Sequence, residues 1–327
     1  MFKPSLILKN KHLQTLYAPL FRKQIAPKVE IEHFNLPDGD FVECYWHNEK
    51  PTDERPIVTL FHGLAGSFNS PYIQGIMNAL EKKGFASVLM HFRGCSGKEN
   101  LLPRSYHSGD TADAKAWLEH LQENYPNSAL YAVGYSIGGN MLLKLLGEEG
   151  NEVSLSSAVS VSAPMDLDIT AKAINRGFSK LYQSHLLKPL KLTLLEKYKQ
   201  FNMEKLLGID EEGVRKIKTI EEFDEVYTAP INGFKSAKDY YEKCSAKQFL
   251  KSIKIPTLIV HALDDPFMTP EILPSSLTEI SETITLKLSE SGGHVGFVKG
   301  GLFSPDYWLE SLIVTYFVEH HPNSQPF

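Results

Sequence analysis

Ser136 lies in a stretch whose residue types fit a catalytic nucleophile. Residues 134–138 read Gly-Tyr-Ser-Ile-Gly, which is the G-x-S-x-G pattern of a sharp strand-to-helix turn that exposes a serine hydroxyl. The apolar runs "ALYAV" before it and "NMLLKLL" after it predict that strand and that helix. The alternative is a serine that caps a helix beside glycines that allow close packing. A nucleophile, unlike a cap, needs catalytic partners elsewhere in the chain.

His294 is the predicted general base. A serine hydroxyl is a weak nucleophile at neutral pH, so it needs a base, and the base needs an orienting carboxylate. In a site of this type the chain order is serine, then acid, then histidine. His294 follows the strand-like run "TITLKL" in the glycine-bounded loop "ESGGHVGF". The alternative for this residue is a structural histidine that makes one hydrogen bond.

Two adjacent aspartates are candidates for the carboxylate. Asp264 and Asp265 come directly after the strand-like run "PTLIVH", and α/β enzymes place their chemistry at the carboxyl ends of parallel strands. We predict Asp265, immediately before Pro266, as the acid and keep Asp264 as the alternative. A turn built on Asp-Pro would explain the same residues without catalysis.

The segment "HGLAGS" follows the apolar run "IVTLF" and provides a candidate oxyanion hole. A His-Gly turn at the end of a buried strand can aim a backbone N–H at a developing oxyanion. We predict Leu64 as one donor and Ile137, the residue after the serine, as the second. His62 is expected to brace this loop, and Arg93 is expected to tie loops together rather than bind substrate.

The composition favours a soluble globular protein with a full core. The chain has 327 residues, of which 42% are hydrophobic and 22% charged. A net charge of −5 argues against nucleic-acid binding as the main task. The three cysteines fit neither a disulfide framework nor a zinc site, and no phosphate loop is present, so we expect no metal and no cofactor.

The N-terminal segment indicates neither export nor a membrane anchor. Its apolar run is short and is interrupted by Lys9 and Lys11, unlike a signal peptide. No stretch of about 18 apolar residues predicts a transmembrane helix. The cysteine content fits a reducing compartment, so we expect a cytoplasmic protein.

The order of elements predicts an α/β fold with a mostly parallel, doubly wound sheet. Two strand-like segments flank Asp38-Gly39, which is a strong hairpin signal and predicts an antiparallel start. After Pro56, short apolar runs rich in β-branched residues alternate with helical segments, as in strands buried on both faces of a parallel sheet. We expect one domain over residues 1–327.

Residues 166–251 interrupt this alternation, because they are helix-like and contain no buried-strand pattern. Leu, Phe and Tyr are mixed there with many lysines. One interpretation is a set of amphipathic surface helices. The functional one is a helical lid over a pocket, since the segment is inserted between two core strands. The two are compatible.

The chain resembles the YheT-like branch of the α/β-hydrolase superfamily, a group of predicted esterases and lipases. Beyond the candidate triad, the resemblance is carried by the segments "NKHLQTLY", "HFRGCSG", "YHSGDTAD", "GYSIGGNMLLKLLGE" and "FDEVYTAPINGFKSAKDYY". It covers nearly the whole chain. It implies the α/β-hydrolase fold, with Ser136 as nucleophile, Asp265 as acid and His294 as base.

The expected activity is hydrolysis of carboxylic esters through an acyl-enzyme intermediate. The apolar, lysine-bearing insertion suggests short to medium-chain acyl or lipid esters, such as monoacylglycerols. An acyltransferase or a thioesterase would use the same triad, because the fold alone does not set the substrate. A ligand receptor without catalysis is a further alternative, and it would not need all three triad residues.

Overall fold

The computed structural model describes residues 2–22, 26–301 and 303–321, apart from the side chain of Leu6. The strands within these residues are β1 (Val29–Asn35), β2 (Phe41–His47), β3 (Ile57–Phe61), β4 (Ala86–Met90), β5 (Leu130–Tyr135), β6 (Ser157–Val161), β7 (Thr257–Ala262), β8 (Ile284–Ser289), β9 (Val298–Gly301) and β10 (Ser304–Tyr307). The α-helices are α1 (Lys11–Phe21), α2 (Pro71–Glu81), α3 (Thr111–Asn124), α4 (Ile137–Glu149), α5 (Leu167–Ile174), α6 (Ser179–Gln200), α7 (Met203–Leu207), α8 (Glu211–Lys216), α9 (Ile220–Phe223), α10 (Ala229–Ile231), α11 (Ala237–Cys244) and α12 (Trp308–Glu319).

The main sheet has the strand order β1-β2-β4-β3-β5-β6-β7-β8. The six strands from β3 to β8 pair in parallel, while β1 pairs with β2, and β2 with β4, in antiparallel register. Gly39 has a φ of +86° at the turn between β1 and β2, a value that glycine adopts without strain. The predicted parallel sheet with its antiparallel N-terminal hairpin is confirmed.

Helices cover both faces of the sheet. Every residue of β3, β4, β5, β6 and β7 is buried, which explains why these strands are uninterrupted apolar runs rather than alternating ones. Trp117 of α3 and Leu142 of α4 belong to the apolar cluster on one face. Ile76 of α2 and Phe317 of α12 belong to the cluster on the other face. The doubly wound arrangement follows from this two-sided burial.

The chain between β6 and β7 folds into helices only, within residues that are all described. We call residues 167–252 the helical insert. It has an apolar cluster of its own, in which Leu194 of α6 packs with Met203 of α7 and Val214 of α8. A π-helical turn at Asp224–Thr228 connects α9 to α10; π-turns of this kind are frequent at functional sites.

The helix α1 and the hairpin of β9 and β10 were not predicted from the sequence. The helix α1 begins after Asn10, whose side chain accepts hydrogen bonds from the backbone N–H groups of His12 and Leu13. The strands β9 and β10 form a separate hairpin in which Pro305 and the glycines at the turn give no alternating apolar pattern. None of the described helices combines the length and the apolar character needed to cross a bilayer.

Candidate active site

Ser136 occupies the sharp turn between β5 and α4. Its backbone has a φ of +52° and a ψ of −121°, a conformation that residues other than glycine rarely adopt. The turn is tight because Gly138 packs against the end of the neighbouring strand β3: a Cβ there would lie 2.5 Å from the carbonyl oxygen of His62. The glycines of the G-x-S-x-G stretch therefore allow the close packing that exposes the serine hydroxyl.

The structure brings Ser136, His294 and Asp265 together. The Nε2 atom of His294 lies 3.0 Å from the Oγ atom of Ser136. The Nδ1 atom of the same ring lies 2.8 Å from Oδ2 of Asp265, whose side chain is fully buried. The Oδ1 atom of Asp265 accepts a hydrogen bond from the backbone N–H of Phe267. The Phe267 ring stacks on the imidazole of His294, with 4.0 Å between the ring centroids. These contacts fix the imidazole between serine and carboxylate.

Asp264 does not contact the imidazole. Its Oδ1 atom instead accepts a hydrogen bond from the backbone N–H of Gly293, at 2.9 Å, next to His294. Burial raises the pKa of Asp264, and the hydrogen bond from Gly293 opposes that shift. Of the two adjacent aspartates, Asp265 therefore has the position required of the orienting carboxylate, whereas Asp264 supports the loop.

Leu64 and Ile137 both line the cavity that contains Ser136. The neighbouring N–H groups are occupied, since that of Gly63 donates to the Tyr72 hydroxyl and that of Ala65 to the Tyr106 hydroxyl. Within the described residues, no hydrogen-bond partner is found for the N–H of Leu64 or of Ile137. The two predicted oxyanion donors are thus available to a ligand.

His62 braces the loop that carries Leu64, as the sequence analysis expected. Its Nε2 atom accepts a hydrogen bond from the backbone N–H of Phe92 at 3.1 Å. Its Nδ1 atom lies 2.7 Å from the carbonyl oxygen of Gly63 and is therefore the protonated nitrogen. Burial, with a smaller contribution from nearby His91, lowers the pKa of His62 to about 3, so the ring remains neutral.

The loop of His294 rests on α1, which the sequence analysis did not connect with the site. The backbone N–H of His294 donates to Oγ1 of Thr15 at 3.0 Å. The side chain of the neighbouring Gln14, fully buried, bonds both the N–H and the carbonyl of Val298. Thr15 belongs to the segment "NKHLQTLY", which contributed to the family resemblance. Nothing in that segment predicted its contact with the loop of His294.

Arg93 lines the cavity and ties three segments together. Its guanidinium is 1% exposed and bonds Asp113 with two nitrogens, at 2.6 Å each, and Asp40 at 3.0 Å. The Oδ2 atom of a third aspartate, Asp38, lies 2.8 Å from Nη1 of Arg93. Since its donors are engaged by carboxylates, Arg93 has the structural position that the sequence analysis expected.

A cavity of about 780 Å³ lies over Ser136. The sheet side contributes the candidate catalytic groups, and the helical insert contributes about half of the apolar lining. The insert's lining residues include Leu167, Ile174, Leu186, Leu190, Phe223 and Tyr227. In the described part of the chain, no three histidine, cysteine, aspartate or glutamate side chains are grouped as a metal site would require. The arrangement suits acyl chemistry by side chains and backbone donors.

Comparison with known proteins agrees with this fold. The sequence profile of the alpha/beta hydrolase fold family matches residues 56–300. The chain is 43% identical to YheT of Escherichia coli K12, an esterase by name, over 95% of this chain and 91% of YheT. It is 29% identical to the mouse phospholipase ABHD3, over 88% of this chain and 71% of that protein.

Among solved structures, an esterase of Pyrococcus furiosus, Pf2001, superposes with a TM-score of 0.59 at 16% identity, over 97% of this chain and 96% of that one. At that identity the likeness concerns the fold alone, which is the α/β-hydrolase fold. The chain belongs to the α/β-hydrolase family, and within it to the YheT-like branch of esterase- and lipase-type enzymes.

Proposed function

We propose that this protein hydrolyses carboxylic esters with Ser136 as nucleophile. The observation that carries the proposal is the continuous hydrogen-bonded row of Ser136, His294 and Asp265 at the floor of an apolar cavity. Its chain order is serine, aspartate, histidine, as in other α/β-hydrolases.

The reaction begins when the Oγ atom of Ser136 attacks the acyl carbon and Nε2 of His294 takes its proton. Asp265 stabilises the imidazolium and holds the tautomer in which Nδ1 carries a hydrogen. The N–H groups of Leu64 and Ile137 bind the oxygen that becomes negative. His294 then protonates the leaving alcohol, and water activated by the same ring releases the acid and restores Ser136.

The proposed substrate is a short to medium-chain acyl or lipid ester, such as a monoacylglycerol. A cavity of about 780 Å³ is within the range of roughly 300–1,000 Å³ that takes small-molecule ligands. Its lining from the helical insert is largely apolar, which favours an acyl chain over a charged substrate. The helical insert, residues 167–252, would then act as the lid of the site.

The test is hydrolysis of p-nitrophenyl esters of increasing acyl length by wild type, Ser136→Ala and the matched control Ser311→Ala, whose serine lies on the exposed side of α12. We expect Ser136→Ala to lose a factor of about 10⁴ or more in kcat. A fluorophosphonate probe should label wild type and Ser311→Ala but not Ser136→Ala. Equal labelling of all three proteins would refute the assignment of Ser136, and an inactive, unlabelled wild type would favour a receptor.

An alcohol acceptor offered beside water separates hydrolysis from acyl transfer. A hydrolase releases mainly free acid at low acceptor concentration, whereas a transferase yields mainly the new ester. Formation of the new ester as the dominant product would contradict the proposed hydrolysis while leaving the triad assignment in place.

A further inference from the structure

Leucines are exposed beside the mouth of the cavity. The lining residues exposed to solvent are Pro19 of α1, His185 of α6, Ala65, Asn69 and Gly97, so both helices contribute to the mouth of the cavity. On α1, Leu13 and Leu20 are 48% and 65% exposed. They are seven residues apart and therefore lie on the same side of the helix, next to the side that lines the cavity.

The helix α6 presents a similar stripe. Leu181 and Leu192 are 62% and 53% exposed, and a spacing of eleven residues places them on one side of the helix. Lys188, seven residues after Leu181, lies on that side as well. We call Leu13, Leu20, Leu181 and Leu192 the apolar rim. Its members lie on the two helices that contribute to the mouth, and an exposed apolar surface of this kind marks an interaction site more often than scattered single residues do.

A basic groove continues this surface between α6 and the end of α8. Its cationic lining residues are Lys188, Lys191, Arg215 and Lys218, and no acidic residue lines it within the described part of the chain. The Nζ atom of Lys191 donates to two backbone carbonyls at 2.6 and 2.8 Å. Arg215 forms an exposed ion pair with Glu211 at 3.2 Å.

The side-chain ammonium groups of two of these lysines are not paired with a carboxylate, although the backbone N–H of Lys218 donates to the carboxylate of Glu222 at 2.7 Å. Lys188 and Lys218 are exposed, and no ion pair is found for either of them among the described residues. The floor of the groove is apolar and consists of Leu187, Leu192, Leu195 and Ile217. Leu192 thus belongs both to the groove and to the apolar rim, so the two features form one continuous surface.

We propose that the apolar rim and the basic groove dock the protein onto an anionic lipid surface, with the mouth of the cavity facing the lipid. Exposed leucines enter the boundary between headgroups and acyl chains, and lysines are attracted by anionic headgroups. A lipid is favoured over an acidic protein because exposed leucines lie on both helices that contribute to the mouth of an apolar cavity. The inference rests on the proposed function, since a lipid ester would pass from the bilayer directly to Ser136.

The test is co-sedimentation of the full chain with vesicles of phosphatidylcholine, alone or mixed with phosphatidylglycerol. We expect binding to the mixed vesicles that weakens as salt is added. In Lys188→Gln/Lys218→Gln, the partition coefficient should fall roughly 25-fold, since each lysine near an anionic surface contributes a factor of about five. The matched control is Lys238→Gln/Lys243→Gln, in which two exposed lysines of α11, each near a carboxylate, are replaced; it should bind as wild type does.

The apolar part is tested with Leu181→Ser/Leu192→Ser, which should also bind the mixed vesicles more weakly. The docking proposal is overturned if wild type does not sediment with mixed vesicles, or if neither double variant binds more weakly. It is also overturned if the same variants disperse a dimer in sedimentation velocity, because the surface would then join two copies of the chain.

Hydrolysis of a soluble p-nitrophenyl ester keeps this result separate from the proposed function. None of the four substituted positions, Lys188, Lys218, Leu181 and Leu192, lines the cavity, so their variants should hydrolyse the soluble ester at the wild-type rate. Ser136→Ala should show the reverse, with lost hydrolysis and unchanged vesicle binding. Loss of both readouts in one variant would indicate a folding defect, which circular dichroism identifies.

Discussion

The hydroxyl of Ser136 faces His294 because the backbone on both sides of their contact is held in unusual conformations. Ser136 has a φ of +52°, and Val295, next to the histidine, has a φ of +58°. Such residues cost on the order of 1–3 kcal/mol each and persist only where their surroundings fix them. Ser162, itself at a φ of +50°, accepts the N–H of Val295 at 3.1 Å. Hydrogen bonds around the site thus stabilise its geometry.

Substitution of Asp264 and of Asp265 by asparagine tests which of the two adjacent carboxylates orients His294. Asp265→Asn should lower kcat by about 10⁴, because an amide beside Nδ1 no longer stabilises the imidazolium and favours the wrong tautomer. Asp264→Asn should retain most of the activity, since the amide oxygen can still accept the N–H of Gly293. Steady-state kinetics on one soluble ester measures both. A larger loss in Asp264→Asn than in Asp265→Asn would reverse the assignment of the carboxylate.

At the scale of elements, α1 and the loop after β8 form one unit. Glycines of that loop allow the helix to approach closely: a Cβ on Gly293 would lie 2.6 Å from the carbonyl oxygen of Lys11, and one on Gly296 would lie 2.6 Å from the carbonyl carbon of Gln14. Thr15 then accepts the N–H of His294. The segment before the hairpin of β1 and β2 therefore positions a residue near the end of the chain.

Thr15→Val and Thr15→Ser test this contact. Valine has the shape of threonine but no hydroxyl, so the N–H of His294 loses its partner, at a cost of about 1–3 kcal/mol. We expect kcat to fall roughly tenfold or more, with little change in KM. Serine keeps the hydroxyl and should restore kcat. Rates are normalised to the fraction of protein that fluorophosphonate labels. A change in KM alone, or a serine variant as slow as the valine variant, would contradict a positioning role.

At the scale of the whole molecule, burial favours the neutral form of two histidines behind the site, His62 and His91. His91 is 1% exposed; its Nε2 atom accepts the N–H of Phe68 at 3.1 Å, and its Nδ1 atom lies 2.9 Å from the carbonyl oxygen of Glu43. Burial lowers the pKa of His91 to about 4 and, with His91 nearby, that of His62 to about 3. Protonation would break the bonds that Nε2 accepts.

The lowered pKa values predict that the free energy of unfolding decreases as the pH falls. Well above pH 6.5 both rings are neutral in the folded and the unfolded chain, and the free energy of unfolding is undiminished. As the pH falls below 6.5, His91 becomes protonated in the unfolded chain but stays neutral in the folded protein until about pH 4. The free energy of unfolding therefore decreases as the pH falls. His91→Gln should reduce this slope by about 1.4 kcal/mol per pH unit between those values. Urea unfolding at several pH values measures it, with exposed His33→Gln as the control. An unchanged slope in His91→Gln would exclude the linkage.

Much of the fold and of the candidate site could be predicted because the relevant signals are local. Uninterrupted apolar runs predict strands buried on both faces, and Asp38-Gly39 predicts the first hairpin. The glycines around Ser136 predict the sharp turn, since only glycine permits such close packing. The chain order of serine, aspartate and histidine then follows from the alternation of strands and loops.

The remaining features were decided by tertiary structure. Which aspartate reaches His294 depends on how the loop after β7 turns, and adjacent residues have the same local sequence environment. The hydrogen bond between Thr15 and His294 joins residues 279 positions apart, so no periodicity or spacing encodes it. The sequence by itself determined the elements and the order of the reactive groups, because these depend on short-range patterning. Only the packed chain decided which side chains support His294, because that depends on distances between segments that are remote in the sequence.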